Sequence, residues 1–521
     1  MQMVTLACTG WQAALRPAHA TSANMLAPDE LLDWITASGG GASAAVGKAA
    51  GVRGLVSTCD AAPGDVLLEV PLACCLSTFA DETTSAIEPP NCSKDAAWDV
   101  QLTCAVIQHR GDSTSAVARL LESWPEAPPA PLFCAPEEVA LANDGLGRFG
   151  EKIEELQIDS ERERCVAMRI AHQTGDDRLA SALAEPRAYR EALALVRSRA
   201  LAISATPPTS VRYVLCPMID LANHEAEPTA FYHWSPVACT GGAVRLVATR
   251  ALRAGEAITL RYADDVPNRH YAQCYGFIPR DNHQNGVETY LADVLRSAAM
   301  PEVDLGSAAG SAAATSEWTT ERMAALGVTD DGVGWENRHI LYSSAPSAWL
   351  LTTLRALLSG SSVVAFLNTR VAAADMNTFR PHHDVAPFLA GDEAVAEAAF
   401  RCIRDAASAA AARVVAAAEA TPPSKPMSAP AALLVELRED TLSTLTALEA
   451  NAAGLASAFA EAAREADDGS AADDGAHARA LAELEAAMAQ HAKAPPPHPF
   501  EPAVLEDYAQ RQWDWHAKSY V

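Results

Sequence analysis

The sequence predicts an α+β protein in which a β-rich N-terminal half precedes a helical C-terminal half. Residues 255–262 follow a turn and alternate apolar with polar side chains, which is the period of a strand buried on one face. Residues 51–71 predict strand, turn and strand, with the turn at residues 63–64. In residues 350–358 and 434–448, leucines recur at three- and four-residue intervals, which indicates buried helix faces. The composition also becomes helical from about residue 91 to 205, so a helical stretch is expected between the strands, with further helices after Asn285.

Length and charge restrict the function classes. The chain has 521 residues and a formal net charge of −27, with a pI of about 4.9. This length suffices for two or three domains. Because binding to a phosphate backbone needs a basic face, direct binding to nucleic acid is not expected. The charge fits a protein that attracts basic partners, including lysine-bearing segments, although solubility alone also explains it. No apolar run reaches the roughly 18 residues of a membrane span, so no membrane partner is expected.

The cysteines and the N-terminus bear on metals and compartment. The 12 cysteines are scattered, with one adjacent pair, Cys74–Cys75, and no C-x-x-C spacing, so no metal site is predicted. Reduced thiols in an intracellular compartment are expected. Residues 1–28 lack Asp and Glu, are rich in Ala, Ser and Thr, and contain Arg16 as their only Arg or Lys. They are either disordered or a targeting segment, which leaves chloroplast, cytoplasm and nucleus open.

Polar residues follow the apolar run in residues 214–225. Asp220, Asn223 and His224 stand where that run stops, and Tyr262 ends the later strand among its inward aliphatic residues. A buried tyrosine hydroxyl needs a hydrogen-bond partner. Two antiparallel strands with a polar turn and core aromatics would explain the alternation, but they would not explain the polar cluster.

These segments resemble the end of a SET domain of the Rubisco large-subunit methyltransferase subfamily. The subfamily's Pro-x-x-Asp-x-x-Asn-His segment stands here at Pro217, Asp220, Asn223 and His224. It is followed in order by a Gly-Glu turn, a strand ending in tyrosine, an asparagine and Tyr-Gly-Phe. In this chain these are Gly255–Glu256, Tyr262, Asn268 and Tyr275–Gly276–Phe277. The ordered set at matching spacing carries the resemblance.

The resemblance implies a domain organisation. It gives a SET β-fold of short sheets at residues 29–285, with a helical insert at about residues 91–205. An all-α domain that binds protein substrates would follow at residues 286–521, with low-complexity loops such as residues 306–316. Residues 1–28 would precede the SET domain. The chain is expected to act as a monomer.

The resemblance also implies an activity, which is methyl transfer from S-adenosylmethionine to a lysine of a protein substrate. Tyr262 would be the catalytic residue. The implied cofactor-binding residues are Gly51, Val52, Arg53, Arg199, Asn223, His224 and Tyr262. The implied substrate-binding residues are Arg199, Asp220, Tyr262, Tyr275 and Phe277. The lysine amine, whose ordinary pKa is about 10.4, must be neutral to react, and desolvation beside a sulfonium lowers that pKa.

Alternatives remain open at several of these positions. Val52 stands where relatives have glycine, and Arg199 could be a solvated cation that complements the end of a helix. A histidine methyltransferase on the same fold is a second possible function, because the chain also resembles the actin-histidine methyltransferase. That relative has polar residues just after the arginine of its insert. This chain has Ala200 and Leu201 there, which favours lysine. A SET-fold binding protein without activity is a third.

Overall fold

The protein is represented by a computed structural model that describes most of the chain in separated ranges. The described residues are 28–78, 87, 89, 90, 93, 96–110, 116–143, 145, 146, 149–204, 211–236, 241–263, 266–297, 338–347, 350, 351, 354, 358, 393–423, 426–467 and 475–490. Almost all of the predicted N-terminal segment, and the expected low-complexity loop at residues 306–316, lie outside these ranges.

Short strands in the first half of the chain form three small sheets. A first helix, α1, spans Pro28–Ala37. The strands are β1 (Gly41–Ala42), β2 (Ala44–Ala49), β3 (Val52–Ser57), β4 (Val66–Pro71), β5 (Leu76–Ser77), β6 (Leu201–Ser204), β7 (Val211–Leu215), β8 (Asn223–His224), β9 (Ala230–Ser235), β10 (Ala243–Ala248) and β11 (Ala257–Leu260). Their orders are β1-β4-β10-β9, β2-β3-β11-β8 and β5-β7-β6.

The strand-turn-strand predicted for residues 51–71 is not a hairpin. β3 pairs with β2 and β11, whereas β4 pairs with β1 and β10. The turn at Gly64, which has a φ of +90°, therefore carries the chain from one sheet to another. Side chains of both sheets, among them Leu55, Leu68 and Ile258, meet in one buried core.

The helices of the insert pack in a second hydrophobic core, which also includes Leu76 of β5 and Leu215 of β7. These helices are α2 (Trp98–His109), α3 (Ala116–Ser123), α4 (Pro136–Val139), α5 (Phe149–Gln173), α6 (Asp177–Leu183) and α7 (Pro186–Arg199). This core contains Leu102 and Val106 of α2 and Leu193 of α7, and all three side chains are fully buried. The helical part ends at Arg199, a few residues before the predicted boundary near 205, because β6 pairs there with β7.

The C-terminal half is largely helical, as predicted, but it is not all-α. α8 (Asn268–Tyr275) closes the strand-rich half, and the helices with described bounds that follow it are α9 (Leu291–Ser297), α10 (Glu393–Ala420), α11 (Ala429–Asp467) and α12 (Gly475–Ala489). A two-stranded antiparallel sheet pairs β12 (Gly286–Tyr290) with β13 (Arg338–Tyr342). Val287 and Thr289 are buried while Glu288 is not. Five residues of alternation are too short to stand out beside alanine-rich helices.

Helix α11 joins the two halves. Leu434 and Leu437, near its start, pack with Val139 and Phe149 of the insert. Leucines and Phe459 farther along the same helix belong to the C-terminal core, together with α10 and with the leucines predicted near residues 350–358 that the structure describes. One helix therefore contributes to two cores.

A polar junction connects α8 to α11. Asp440 of α11 accepts hydrogen bonds from Asn268 at 3.1 Å and from Asn285 at 2.9 Å. Asn268 is 2% exposed and begins α8, which carries aromatic residues of the site described below. The C-terminal half thus touches the helix that shapes one side of that site.

None of the described helices combines the length and apolar character that crossing a membrane requires.

Candidate active site

The two central motifs are brought together by parallel pairing. Asn223 lies opposite Thr259, and His224 lies opposite Leu260, in the β8–β11 pair. The alternative of two antiparallel strands therefore does not hold. Tyr262 follows β11 by two residues, and its backbone N–H donates to His224 Nδ1 at 3.2 Å. The predicted polar cluster and the predicted catalytic tyrosine consequently share one location.

Asn223 fastens strand β3 to this location. Its Nδ2 donates to the carbonyl oxygen of Arg53 at 2.9 Å. A Cβ atom on Gly54 would lie 2.3 Å from the same nitrogen, so glycine is required for the approach. The sequence assigned this amide to the cofactor, whereas in the structure one of its hydrogens holds the β3 backbone. Its role toward the cofactor stays a prediction.

Gly51 and Val52 form the end of the β2–β3 hairpin. Ala49 pairs with Val52, and the two residues between them, Ala50 and Gly51, have φ of 49° and 83°. Positive φ at both positions is the geometry of a tight two-residue hairpin turn. The turn is a sufficient reason for Gly51. Val52 is 58% exposed, so the described protein leaves its side chain uncovered.

Arg199 and Asp220 form a buried ion pair. Arg199 Nη1 donates to the Asp220 carbonyl at 2.9 Å and lies 3.4 Å from Asp220 Oδ2. The side chains are 13% and 0% exposed, respectively, which excludes the solvated helix-end cation. The guanidinium also lies over the Trp124 ring, 5.6 Å from its centroid.

Burial sets the electrostatics of this pair. Desolvation raises the pKa of Asp220, while Arg199, the Trp124 hydrogen bond and Arg53 oppose the rise. Burial lowers the pKa of Arg53, and the nearby charge of Arg199 adds to the lowering. Among the described residues, neither Asp220 Oδ1 nor Arg199 Nε has a hydrogen-bond partner. Two buried polar atoms are thus available to a ligand, and leaving them unmet is costly.

Tyr262 is a neutral hydrogen-bonding group. Burial raises its pKa to about 12, with Arg199 opposing the rise. Its hydroxyl donates to the carbonyl oxygen of Ala222 at 2.8 Å. This is the bond expected of a core tyrosine. However, the bond uses only the hydrogen, and the phenolic oxygen keeps lone pairs that can accept.

Aromatic rings surround Tyr262. The ring centroids of Tyr275 and Phe277 lie 4.9 Å and 6.2 Å from that of Tyr262. The Tyr275 hydroxyl donates to the Tyr262 carbonyl at 3.1 Å. The His224 ring lies 5.4 Å from Tyr262. The structure thus brings both predicted wall residues to the predicted catalytic residue.

His224 is held neutral in this group. Burial lowers its pKa to about 4, and the charge of Arg261 adds to the lowering. Because Nδ1 accepts the Tyr262 N–H, the neutral ring carries its hydrogen on Nε2. His224 therefore orients the Tyr262 backbone rather than offering a free base.

Sequence reasoning missed two residues of the site. Tyr271 is 2% exposed, lies 4.8 Å from His224 between ring centroids, and donates its hydroxyl to Ala263 at 2.8 Å. Its position four residues before Tyr275 on α8 was the available signal. Trp124 donates Nε1–H to Asp220 Oδ2 at 2.5 Å. No sequence motif marks it, since it belongs to the insert.

In the described part of the chain, we find no group of three or more His, Cys, Asp or Glu side chains that could hold a metal ion.

Comparison with known proteins identifies the architecture. The family model described as SET domain matches residues 52–263, which include β3, the insert and the β8–β11 pair. A structure of the SET domain of LSMT bound to lysine and AdoHcy has 16% sequence identity and a TM-score of 0.51, and the match covers 87% of this chain and 98% of that one. Two further structures, of Rubisco LSMT bound to AdoMet and of Rubisco LSMT bound to sinefungin and monomethyllysine, have the same identity and TM-score. Each of these matches covers 88% of this chain and 99% of the other. The curated proteins provide no significant match. Residues 52–263 therefore match a SET domain, and the fold of the chain is similar to that of Rubisco LSMT.

Proposed function

We propose that the chain is an S-adenosylmethionine-dependent methyltransferase that acts on a lysine of a protein substrate. SET domains are methyltransferase domains, and this chain matches one over residues 52–263, which include Arg199, Asp220 and Tyr262 of the candidate site. The observation that carries the proposal is the position of Tyr262, whose ring packs against Tyr275 and whose hydroxyl interacts electrostatically with the buried charges of Arg199 and Asp220.

The residues present fit the cofactor. S-adenosylmethionine supplies a reactive methyl group on a positively charged sulfur, together with an ammonium and a carboxylate. Asp220 Oδ1 and Arg199 Nε, the buried atoms without a partner among the described residues, are complementary to those two charged groups. Asn223 and Gly54 hold β3 close beside them. Rubisco LSMT, which has the same fold, is known bound to AdoMet.

Tyr262 would orient the attacking amine. Its hydrogen is committed to the Ala222 carbonyl, so the phenolic oxygen meets the substrate as an acceptor. An N–H of the lysine amine that donates to this oxygen leaves the nitrogen lone pair directed elsewhere, toward the methyl group. Alignment of this kind contributes about 7 kcal/mol in favourable cases.

The surrounding rings favour a neutral lysine. Tyr275 and Phe277 exclude water, and desolvation lowers the pKa of an amine. His224 is not a general base, because its Nδ1 lone pair is occupied by the Tyr262 N–H. The amine is therefore expected to lose its proton to solvent before it is aligned. Aromatic faces also suit a methylated ammonium.

Lysine is favoured over histidine as the target. Ala200 and Leu201 follow Arg199, so the chain lacks polar side chains at the positions where the actin-histidine enzyme resembled above has them. Rubisco LSMT is known bound to lysine and to monomethyllysine. Histidine methylation and cofactor binding without transfer are the remaining alternatives.

The test uses the purified full chain, isotope-labelled S-adenosylmethionine and a cell lysate, with modified sites mapped by mass spectrometry. Labelled lysine in a small set of proteins is the expected result. Labelled histidine would replace the lysine assignment with the alternative. Calorimetry on the same protein separates the remaining outcomes, because cofactor binding without any labelling would indicate a binding protein.

The C-terminal helices are proposed to select the protein substrate. α11 packs on the insert and, through Asp440, bonds to the helix that carries Tyr271 and Tyr275. Glu483 and Glu485 on α12 are exposed and acidic, which suits a basic partner. Once a target is known, replacing both by lysine should reduce kcat/KM on the native protein more than on a peptide with the same site. Equal reductions would exclude this role.

A further inference from the structure

Two consecutive residues of the insert contact three of the site residues. Trp124 Nε1 donates to Asp220 Oδ2 at 2.5 Å, and the Trp124 ring lies under the guanidinium of Arg199, 5.6 Å from its centroid. The carbonyl of Ser123 accepts from Arg53 Nη2 at 3.3 Å. The three contacted residues come from β3, from the end of α7 and from the segment before β8. The end of α3 is therefore the point where the insert meets the charged groups of the site.

We propose that Trp124 is a positioning residue for the reaction. It acts through Asp220 and Arg199: its N–H fixes the orientation of the Asp220 carboxylate, and its ring fixes the plane of the Arg199 guanidinium. The inference rests on the proposed function, because it concerns the same site.

The hydrogen bond is more than the packing of a core residue requires. Trp124 is 7% exposed and belongs to the hydrophobic core of the insert, which alone would explain a large apolar side chain. Phenylalanine or leucine would fill such a core without adding a polar atom. The indole N–H instead reaches a carboxylate whose side chain is fully buried and whose other oxygen has no partner among the described residues. A hydrogen bond to a buried charged group is among the stronger ones.

The bond stabilises the ionised carboxylate. Asp220 faces the cations Arg199 and Arg53, and Tyr262 and Cys216 also interact with it electrostatically. Burial raises the Asp220 pKa, and the Trp124 hydrogen bond is one of the interactions that hold it down. Removing the indole N–H must therefore raise that pKa further. If the ionised carboxylate is the active form, activity will then be lost at a higher pH during acidification.

The test compares Trp124→Phe with Trp98→Phe in the full chain. Both tryptophans contribute to the core of the insert, but Trp98 stacks on Tyr213, with centroids 4.1 Å apart, and makes no described hydrogen bond or ring contact with Asp220, Arg199 or Arg53. The measurements are the pH profile of kcat/KM for methyl transfer and the affinity for S-adenosylmethionine by calorimetry. Thermal unfolding of both variants checks that each is folded.

Trp124→Phe is expected to lower kcat/KM by about tenfold or more, as for a lost hydrogen bond to a charged group. The step on the acid limb that comes from Asp220 should move to higher pH, while the step that comes from the substrate amine, which must be neutral to react, stays in place. Trp98→Phe should keep the wild-type profile. A second variant, Trp124→Leu, also removes the ring over Arg199 and should lower activity further.

Other results would overturn the proposal. If Trp124→Phe and Trp98→Phe lose activity equally with unshifted acid limbs, Trp124 is only a core residue. In the Asp220→Asn background, Trp124→Phe should weaken cofactor binding little further, because the carboxylate is gone; an undiminished effect would contradict action through Asp220. A wild-type chain that neither binds the cofactor nor transfers methyl groups would instead contradict the proposed function itself.

Discussion

The two sides of the candidate site differ in how fully their polar atoms are hydrogen-bonded. On the aromatic side, Tyr262, Tyr271 and Tyr275 all donate their hydroxyls to backbone carbonyls, and His224 accepts a backbone N–H. On the charged side, Asp220 and Arg199 each keep a buried polar atom without a partner among the described residues. The three hydroxyl hydrogens and the His224 Nδ1 atom on the aromatic side thus have partners within the protein, whereas two buried polar atoms on the charged side have none in the described part of the chain.

This difference assigns different tasks to the two sides. A buried polar atom that lacks a partner costs about 1–3 kcal/mol, and a ligand that supplies the partner recovers this energy. The charged side is therefore suited to bind the polar groups of a cofactor. A neutral, hydrogen-bonded set of rings offers shape and exclusion of water, which suits the apolar stem of a lysine side chain.

The largest effect is expected from removing the charge of Arg199. Arg199→Met would leave Asp220 buried without its closest cation, which typically costs about 3 kcal/mol or more of unfolding free energy. Urea denaturation at neutral pH measures this loss. Arg187→Met is the matched control, because Arg187 lies on the same helix with its side chain 88% exposed and is expected to change stability little. Similar losses for both variants would mean that the buried ion pair contributes no more to the free energy of unfolding than an exposed arginine does.

The second effect separates two tyrosines on the aromatic side. Tyr262→Phe and Tyr271→Phe each delete a hydroxyl that donates to a backbone carbonyl at 2.8 Å, so both should lose about 1 kcal/mol of stability. Only Tyr262→Phe is expected to lower kcat by about a hundredfold, by analogy with the loss of one positioned transition-state contact. Steady-state kinetics with saturating cofactor would measure it. Equal kcat values in the two variants would make Tyr262 a structural tyrosine.

The smallest effects concern pH and have opposite signs on the two sides. Burial lowers the His224 pKa to about 4, so its stabilising contribution is present above about pH 6.5 and is lost as the pH falls toward 4. Burial raises the Asp220 pKa, so its contribution is present at low pH and is lost as the pH rises through the folded-state value.

Urea denaturation from pH 4 to 7 checks these two pH dependences. It measures the difference in unfolding free energy between wild type and each of two variants, His224→Gln and Asp220→Asn. The destabilisation caused by His224→Gln should shrink as the pH falls. Asp220→Asn should show the opposite trend. If unfolding free energy plotted against pH ran parallel to wild type for both variants, the pKa shifts that burial causes in these two groups would be contradicted. His270, whose pKa burial also lowers to about 4, is present throughout and cancels in the differences.

The aromatic side was more accessible from the sequence than the charged side. Tyr262, Tyr275 and Phe277 lie within sixteen residues of one another, so strand alternation and a short motif suffice to group them. The charged side depends on Trp124, which lies 96 residues from its partner Asp220. A periodic pattern describes neighbours along a strand or helix, and it carries no information about such a contact.

The fold shows the same limit. The separation into strands and helices was predictable because hydrophobic periodicity is local. The assignment of β3 and β4 to different sheets was not, because it depends on strands more than a hundred residues later. The β12–β13 sheet was missed in the helical half, since its strands are short and 338–342 follows a long interval of sequence.

The placement of the insert between the strands of one core has a consequence for the order of folding. Asn223 bonds to Arg53 across 170 residues of sequence, and Arg245 pairs with Glu69 across 176. The core of the insert joins segments that are closer together in the chain, whereas the strand core cannot close until β10 and β11 have been synthesised. Loop closure over such separations slows folding, so we expect the insert to acquire its structure first during synthesis. Until β10 and β11 have been synthesised, one edge of β3 and one edge of β4 would remain unpaired. A chaperone is therefore expected to be most useful during that time.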